Sequence, residues 1–348
     1  MAPPSRAIQP TVASSTYVFA LVYGVDMMNI QVLASALRLT RSIPRQEFAV
    51  GDWKGRREAS EAMNLEVLAG MPAPSDVRSD SISMIGKAGR RIQARVYRDR
   101  SAAADACIVY VHGGGMIMGS LDGYQRRCSA YAASTGVPVI AVDYRLAPEH
   151  PYPAAIDDVA EAVAWVASHA EEFGIDPERI AIAGDSAGGG IAAGVSLRLR
   201  DEGGPRIACQ LLVYPMLDDR TPPPRRPSRL LTWTAEDNAT GWGCLLGEAA
   251  GGPDVPAYAA PARALDLSGL PPTYIEGCTL DLFMEEDQEF ARRLEQSGVC
   301  VEWRVRKGVP HGYDVFAPGS WVARRAWRER ADFLRAHLLG SQDRQEVA

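Results

Sequence analysis

The sequence predicts an α/β fold: a mostly parallel, eight-stranded sheet covered by helices on both faces, with a helical cap. Short, near-continuous apolar runs alternate with longer segments of helical spacing, the rhythm of strand–helix units. Runs of that kind are expected of strands buried on both faces, which is the signature of a parallel sheet. Two long segments, within 1–70 and 218–250, do not follow the rhythm and are assigned to the cap.

Residues 1–70 form the N-terminal cap segment. The stretch "STYVFALVYGVDMMNIQVLASALRL" (15–39) is apolar, but Asp26, Asn29 and Gln31 interrupt it. A charge near the centre of a membrane span costs about 2.5–3.5 kcal/mol, so the stretch reads as an amphipathic helix packed on the protein, not a span. "ASA" (34–36) mimics a cleavage site, which keeps secretion as the minor alternative to a cytoplasmic location.

The core follows as 71–217 and resumes at 251–348. "SISMIG" (81–86) and "RIQARVYR" (91–98) read as an antiparallel hairpin. "ACIVYVH" (106–112), "VPVIAVDY" (137–144), "RIAIAG" (179–184), "IACQLLVYP" (207–215), "PTYIEG" (272–277) and "CVEWRVR" (300–306) supply six more strands. Helical spacing marks 152–173, 284–298 and 321–340, and a run of small residues from Ala187 opens another helix. The cap insertion, 218–250, opens on a Pro/Arg run (222–227) that excludes regular structure. Its later half reads as helical and carries two exposed or pocket-lining tryptophans, Trp233 and Trp242.

Composition narrows the function. The net charge is −6 and the arginines are scattered without a basic stripe, which argues against a nucleic-acid partner. The six cysteines form no C-x-x-C pair and have no histidine cluster beside them. They read as buried reduced thiols of a cytoplasmic protein, and no metal or cofactor is expected. In that compartment the "NAT" pattern (238–240) has no meaning.

The chemistry starts at "GDSAG" (184–188), which joins a strand to a helix. This is the G-x-S-x-G turn, in which strained backbone lifts a serine over the sheet and glycines avoid collisions with neighbouring chain. Ser186 is therefore the candidate nucleophile. "HGGG" (112–115) follows a strand and offers backbone N–H groups for an oxyanion, with Gly113 and Gly114 as donors and Ala187 as a third. Of the five histidines, His169 and His337 fall on helices, whereas His311 lies in a Gly/Pro-bounded loop after the last strand, where a base is needed. Asp281 lies on the loop after strand 272–277, while Glu285, Glu286 and Asp287 are expected on the next helix, facing water. The order Ser186, Asp281, His311 suits a Ser–His–Asp triad on this type of sheet.

With these motifs, and with "DYRLAPEHPYPAAIDD" (143–158) and "PHG" (310–312), the sequence resembles the hormone-sensitive-lipase group of the α/β-hydrolase fold, the bacterial family IV esterases and lipases. The resemblance runs from about residue 80 to the C-terminus. It implies the same triad and oxyanion hole, and a polar network of Asp143, Arg145 and Glu149 near the site. It also implies a cap made of the N-terminal segment and the insertion. The leading expectation is a serine hydrolase that cleaves small to medium apolar carboxylic esters through an acyl-enzyme, with Met116, Trp233 and Trp242 at the substrate. An amide or lactone substrate would use the same machinery. A lyase or cyclase on this fold often replaces the nucleophile, and a non-catalytic receptor lacks the histidine; Ser186 and His311 are both present. The oligomeric state stays open, a homodimer included.

Overall fold

A computed structural model describes residues 48–70, 74–100, 105–223 and 231–339. The expected helix at 15–39 and most of the Pro/Arg run lie outside them. Eight strands form one sheet in the order β1-β2-β4-β3-β5-β6-β7-β8. They are β1 (Val77–Ile85), β2 (Arg91–Asp99), β3 (Cys107–Val111), β4 (Val139–Asp143), β5 (Ile180–Asp185), β6 (Cys209–Val213), β7 (Thr273–Leu280) and β8 (Val301–Pro310). Strand β2 runs antiparallel to β1 and β4; all other pairings are parallel.

The apolar runs are continuous because both faces are covered. In β3, Cys107, Val109 and Val111 enter one core cluster, while Ile108 and Tyr110 enter the other. That is the period of two of a strand with no wet side. The helices are α1 (Trp53–Gly70), α2 (Leu121–Thr135), α3 (Ala154–Ser168), α4 (Ala170–Phe173), α5 (Ala187–Glu202), α6 (Ala235–Leu246), α7 (Met284–Gln296), α8 (Tyr313–Phe316) and α9 (Trp321–Leu338).

Three sequence expectations change. The helix expected over 152–173 breaks at His169, which caps α3 and stacks on Trp165 at 4.1 Å. Helix α2 has no counterpart among the expected elements, although Ser120 caps its start and Gly136, at φ 69°, ends it. The face of α7 that packs inward carries Asp287 with Phe290, Ala291 and Leu294, so Asp287 is buried instead of facing water. Glu286 also turns inward: it accepts the backbone N–H of Leu217 (2.7 Å) and the Thr221 hydroxyl, pinning the chain as it leaves β6.

The cysteines are all unpaired; Cys107, Cys128, Cys209 and Cys278 are buried, Cys244 is half-buried and Cys300 is exposed. Among the described residues, no helix is long and apolar enough to cross a membrane.

Candidate active site

Three loops at the C-terminal ends of strands in one half of the sheet bring Ser186, Asp281 and His311 together. Ser186 follows β5, Asp281 follows β7, and His311 follows β8. His311 Nε2 lies 2.8 Å from Ser186 Oγ, and its Nδ1 lies 2.7 Å from Asp281 Oδ2. The Asp281 side chain is fully buried, and besides the imidazole it accepts the Phe283 N–H at 3.3 Å. Nδ1 carries the proton it gives to Asp281, which leaves Nε2 as acceptor for the serine hydroxyl. The imidazole is held edge-on by Tyr214 (4.7 Å between ring centres) and Phe283 (5.3 Å).

The turn at Ser186 is strained. Its φ is 54° and ψ −124°, a conformation that non-glycine residues rarely adopt. Surrounding contacts enforce it: the Ser186 N–H donates to the Val213 carbonyl, and the Ser186 carbonyl accepts from Met216 and Gly190. A Cβ at Gly184 would stand 2.3 Å from the Gly188 carbonyl oxygen, and one at Gly188 would stand 2.1 Å from that of Val111. Both flanking glycines are thus required by close backbone approach.

The "HGGG" loop crosses above this turn. Gly113 N–H donates to the Tyr124 hydroxyl at 3.0 Å, so it is already engaged. This corrects the expectation that Gly113 is an oxyanion donor. The N–H groups of Gly114 and Gly115 have no partner among the described residues.

The α/β hydrolase fold family matches residues 108–315. The chain belongs to that family. Esterase LipI of Mycobacterium tuberculosis is 39% identical over 286 residues, which are 79% of this chain and 87% of that protein. An ethyl acetate hydrolase of Pseudomonas putida is 35% identical, over 75% of this chain and 82% of its own. Among solved structures, a bacterial heroin esterase superposes with a TM-score of 0.80 at 34% identity, covering 88% of this chain and 98% of that one. Within the fold family the chain falls in the hormone-sensitive-lipase-like group of bacterial esterases.

Around the hydrolase centre, the other expected residues separate. Met116, at φ 66°, is buried and lines a small apolar cavity with Ile156, Ile191 and Leu245. Trp233 and Trp242 are both buried, not exposed. Trp233 covers the loop directly: a Cβ on Gly115 would stand 2.2 Å from its ring. Trp242 packs in the apolar core, and its indole N–H has no partner among the described residues. Asn238 of the "NAT" pattern lies on the same helix as Trp242, α6, and is buried. The expected Asp143–Arg145–Glu149 network is two separate ion pairs. Arg145 grips Asp158 (2.8 and 2.9 Å), and Glu149 grips Arg57 of α1 (2.6 and 2.9 Å), while Asp143 stays exposed.

Sequence reasoning missed a buried charged cluster on the α2/α9 face of the sheet. Arg330 bonds both Glu276 and Asp314; Arg306 adds to Glu276 at 2.9 Å and Arg127 to Asp314 at 3.3 Å. The signal available was Glu276, a lone charge inside an apolar strand run.

Proposed function

We propose that this chain is a serine esterase whose nucleophile is Ser186, whose base is His311 and whose orienting acid is Asp281. Ester hydrolysis is the activity of the named relatives, and this protein is a hydrolase of the same kind. The observation that carries the assignment is the imidazole of His311 bridging Ser186 and Asp281 at 2.8 and 2.7 Å.

The chemistry follows from that geometry. Ser186 Oγ attacks the ester carbonyl carbon as Nε2 takes its proton. The carbonyl oxygen becomes an oxyanion, and Asp281 stabilises the imidazolium. Gly114, Gly115 and Ala187 are the proposed oxyanion donors, since Ala187 opens α5 and has no intrahelical acceptor for its N–H. Collapse expels the alcohol, which takes the proton from Nε2 and leaves an acyl-Ser186 ester. Water, deprotonated by the same nitrogen, then releases the acid.

The cap reading rests on contacts across the loop. Helices α1 and α6 are tied to each other by Arg56 and Asp237 (2.7 Å), and Arg57 donates to the Ile117 carbonyl (2.8 Å) just beyond the glycines. With Trp233 and Met116 beside the loop, the favoured substrate is an apolar ester of small to medium size. The unpaired cysteines support a reducing, cytoplasmic location.

A fluorophosphonate tests the nucleophile. The expected adduct is on Ser186, and Ser186→Ala should lower kcat by as much as about 10⁶ with the fold intact. An adduct on another serine overturns the assignment.

A further inference from the structure

The oxyanion loop and the nucleophile turn are joined by one phenol. The Tyr124 hydroxyl, from the first turn of α2, accepts the Gly113 N–H at 3.0 Å and donates to Asp185 Oδ2 at 2.9 Å. Asp185 is the residue immediately before Ser186, and Gly113 is the residue immediately before Gly114. The phenol therefore stands one residue away from the nucleophile on one side and from a proposed oxyanion donor on the other. We propose that Tyr124, acting through Asp185, is a positioning residue that sets the oxyanion N–H groups in register with Ser186 Oγ.

Peptide geometry makes the link consequential. In a planar trans peptide the C=O and the following N–H point in opposite directions. The Gly113 carbonyl is taken by His112 Nδ1 at 2.8 Å, which fixes the Gly113–Gly114 peptide plane and thereby the aim of the Gly114 N–H. The Gly113 N–H on Tyr124 fixes the plane before it. The contact is tight: a Cβ at Gly113 would stand 2.9 Å from both the Tyr124 hydroxyl and Asp185 Oδ2. No side chain fits there, so the loop can rest against Asp185 with the phenol as its polar link.

The other carboxylate oxygen is held independently. Tyr110 of β3 donates to Asp185 Oδ1 at 2.6 Å. Burial, and next the charge of Asp185, push both phenols well above their ordinary pKa, so each remains a proton donor to the carboxylate. With both oxygens engaged, the side chain of Asp185 cannot rotate to follow a displaced loop. A donor displaced by a fraction of an ångström loses hydrogen-bond strength where the oxyanion forms, but loses little for a planar ester carbonyl.

The proposal rests on the triad reading above, and its test uses a substitution that leaves the triad untouched. Tyr124→Phe keeps the ring and removes the link. Its expected effect is a fall in kcat of about 10- to 100-fold, part of what a lost oxyanion donor costs, with KM within about threefold. The inhibition constant of an alkylboronic acid, which forms a tetrahedral adduct on Ser186, should rise by the same factor as kcat falls. That of the matching carboxamide, which stays planar, should not change. General loosening of the site would weaken both inhibitors together, and that result overturns the proposal, as does an unchanged kcat. Fluorophosphonate labelling of wild-type enzyme separates the two levels: no adduct on Ser186 refutes the triad, whereas an adduct with unaltered boronate binding in Tyr124→Phe refutes only the register. If Tyr124→Phe does not fold, Asp185→Asn tests the same link from its other end, because an amide has a single accepting oxygen and cannot accept from both Tyr110 and Tyr124. The same boronate-selective loss is expected.

Discussion

His311 is fixed from every side that matters to its work. Asp281 holds Nδ1, the Ser186 hydroxyl meets Nε2, two aromatic edges confine the ring, and its backbone carbonyl accepts the Thr232 hydroxyl at 2.6 Å. Asp281→Asn would offer an amide to Nδ1 and favour the tautomer with its proton on Nε2, facing the serine. The expected loss in kcat is about 10⁴, measured on a chromogenic ester with the melting temperature as a check on folding. The neighbouring Asp287 should behave in the opposite way. Both its carboxylate oxygens are buried without partners among the described residues. Burial, and then the nearby carboxyls of Glu286, Asp281 and Glu276, push its pKa well above the usual carboxylate value. A raised folded pKa gives stability that is complete below the unfolded value, about 4, and is lost as pH rises toward the folded one. Asp287→Asn does not titrate, so its stability should gain on the wild type by up to about 1.4 kcal/mol per pH unit above pH 4. Urea unfolding at pH 5 and 8 measures this; an equal difference at both pH values would contradict it. The burial of Asp287 was legible in the spacing, since Phe290, Ala291 and Leu294 lie three, four and seven residues on. The engagement of Gly113 was not. Consecutive glycines look alike in sequence, and which N–H stays free depends on a tyrosine eleven residues away.

At the scale of elements, the proposed cap and the loop beside it divide the two tryptophans. Trp233 rests on Gly115, whereas Trp242, on α6, fills the core. Trp233→Ala should open space beside the acyl group and change kcat/KM ratios between short and long acyl esters several-fold, at about 0.8 kcal/mol per methylene recognised. Trp242→Ala should leave those ratios alone and instead destabilise the fold by about 3–5 kcal/mol. A series of acyl esters, with a denaturation curve for each variant, separates the two outcomes. The elements themselves were readable wherever apolar residues dominate, as in β3 through β7. Helix α2 was not, because its inward face is built from Arg127, Cys128, Tyr131, Ala132 and Thr135, residues that a search for aliphatic periodicity passes over. Of these, Arg127 belongs to the buried charged cluster, a polar interior that has no simple pattern in the sequence.

That cluster governs the molecule as a whole, because it joins the strands that carry the proposed triad acid and base to the last helix. Glu276 lies on β7 five residues before Asp281, Arg306 lies on β8 five residues before His311, and Arg330 lies on α9. Burial alone would raise the pKa of Glu276, but Arg330 and Arg306 outweigh it and hold the group below its ordinary range. Asp314 is likewise buried, and Arg127 and Arg330 hold it well below the range. A depressed folded pKa gives stability that is present above the unfolded value and lost as pH falls through the folded one. The two carboxylates should therefore sustain the fold at neutral pH and surrender it in acid, below about pH 4. Arg330→Met removes the cation common to both and leaves two buried carboxylates with fewer partners. Breaking a buried pair in this way costs about 3–5 kcal/mol. The loss should be largest at pH 7 and shrink toward pH 4, since in the variant both acids take up protons more readily. Arg330→Met/Glu276→Gln removes one of the stranded charges and should recover part of the loss at pH 7. Chemical denaturation of the three proteins at pH 4, 5.5 and 7 measures it; a penalty for Arg330→Met that is the same at every pH would show that Arg330 acts by packing on Trp327 and its neighbours, not by its charge.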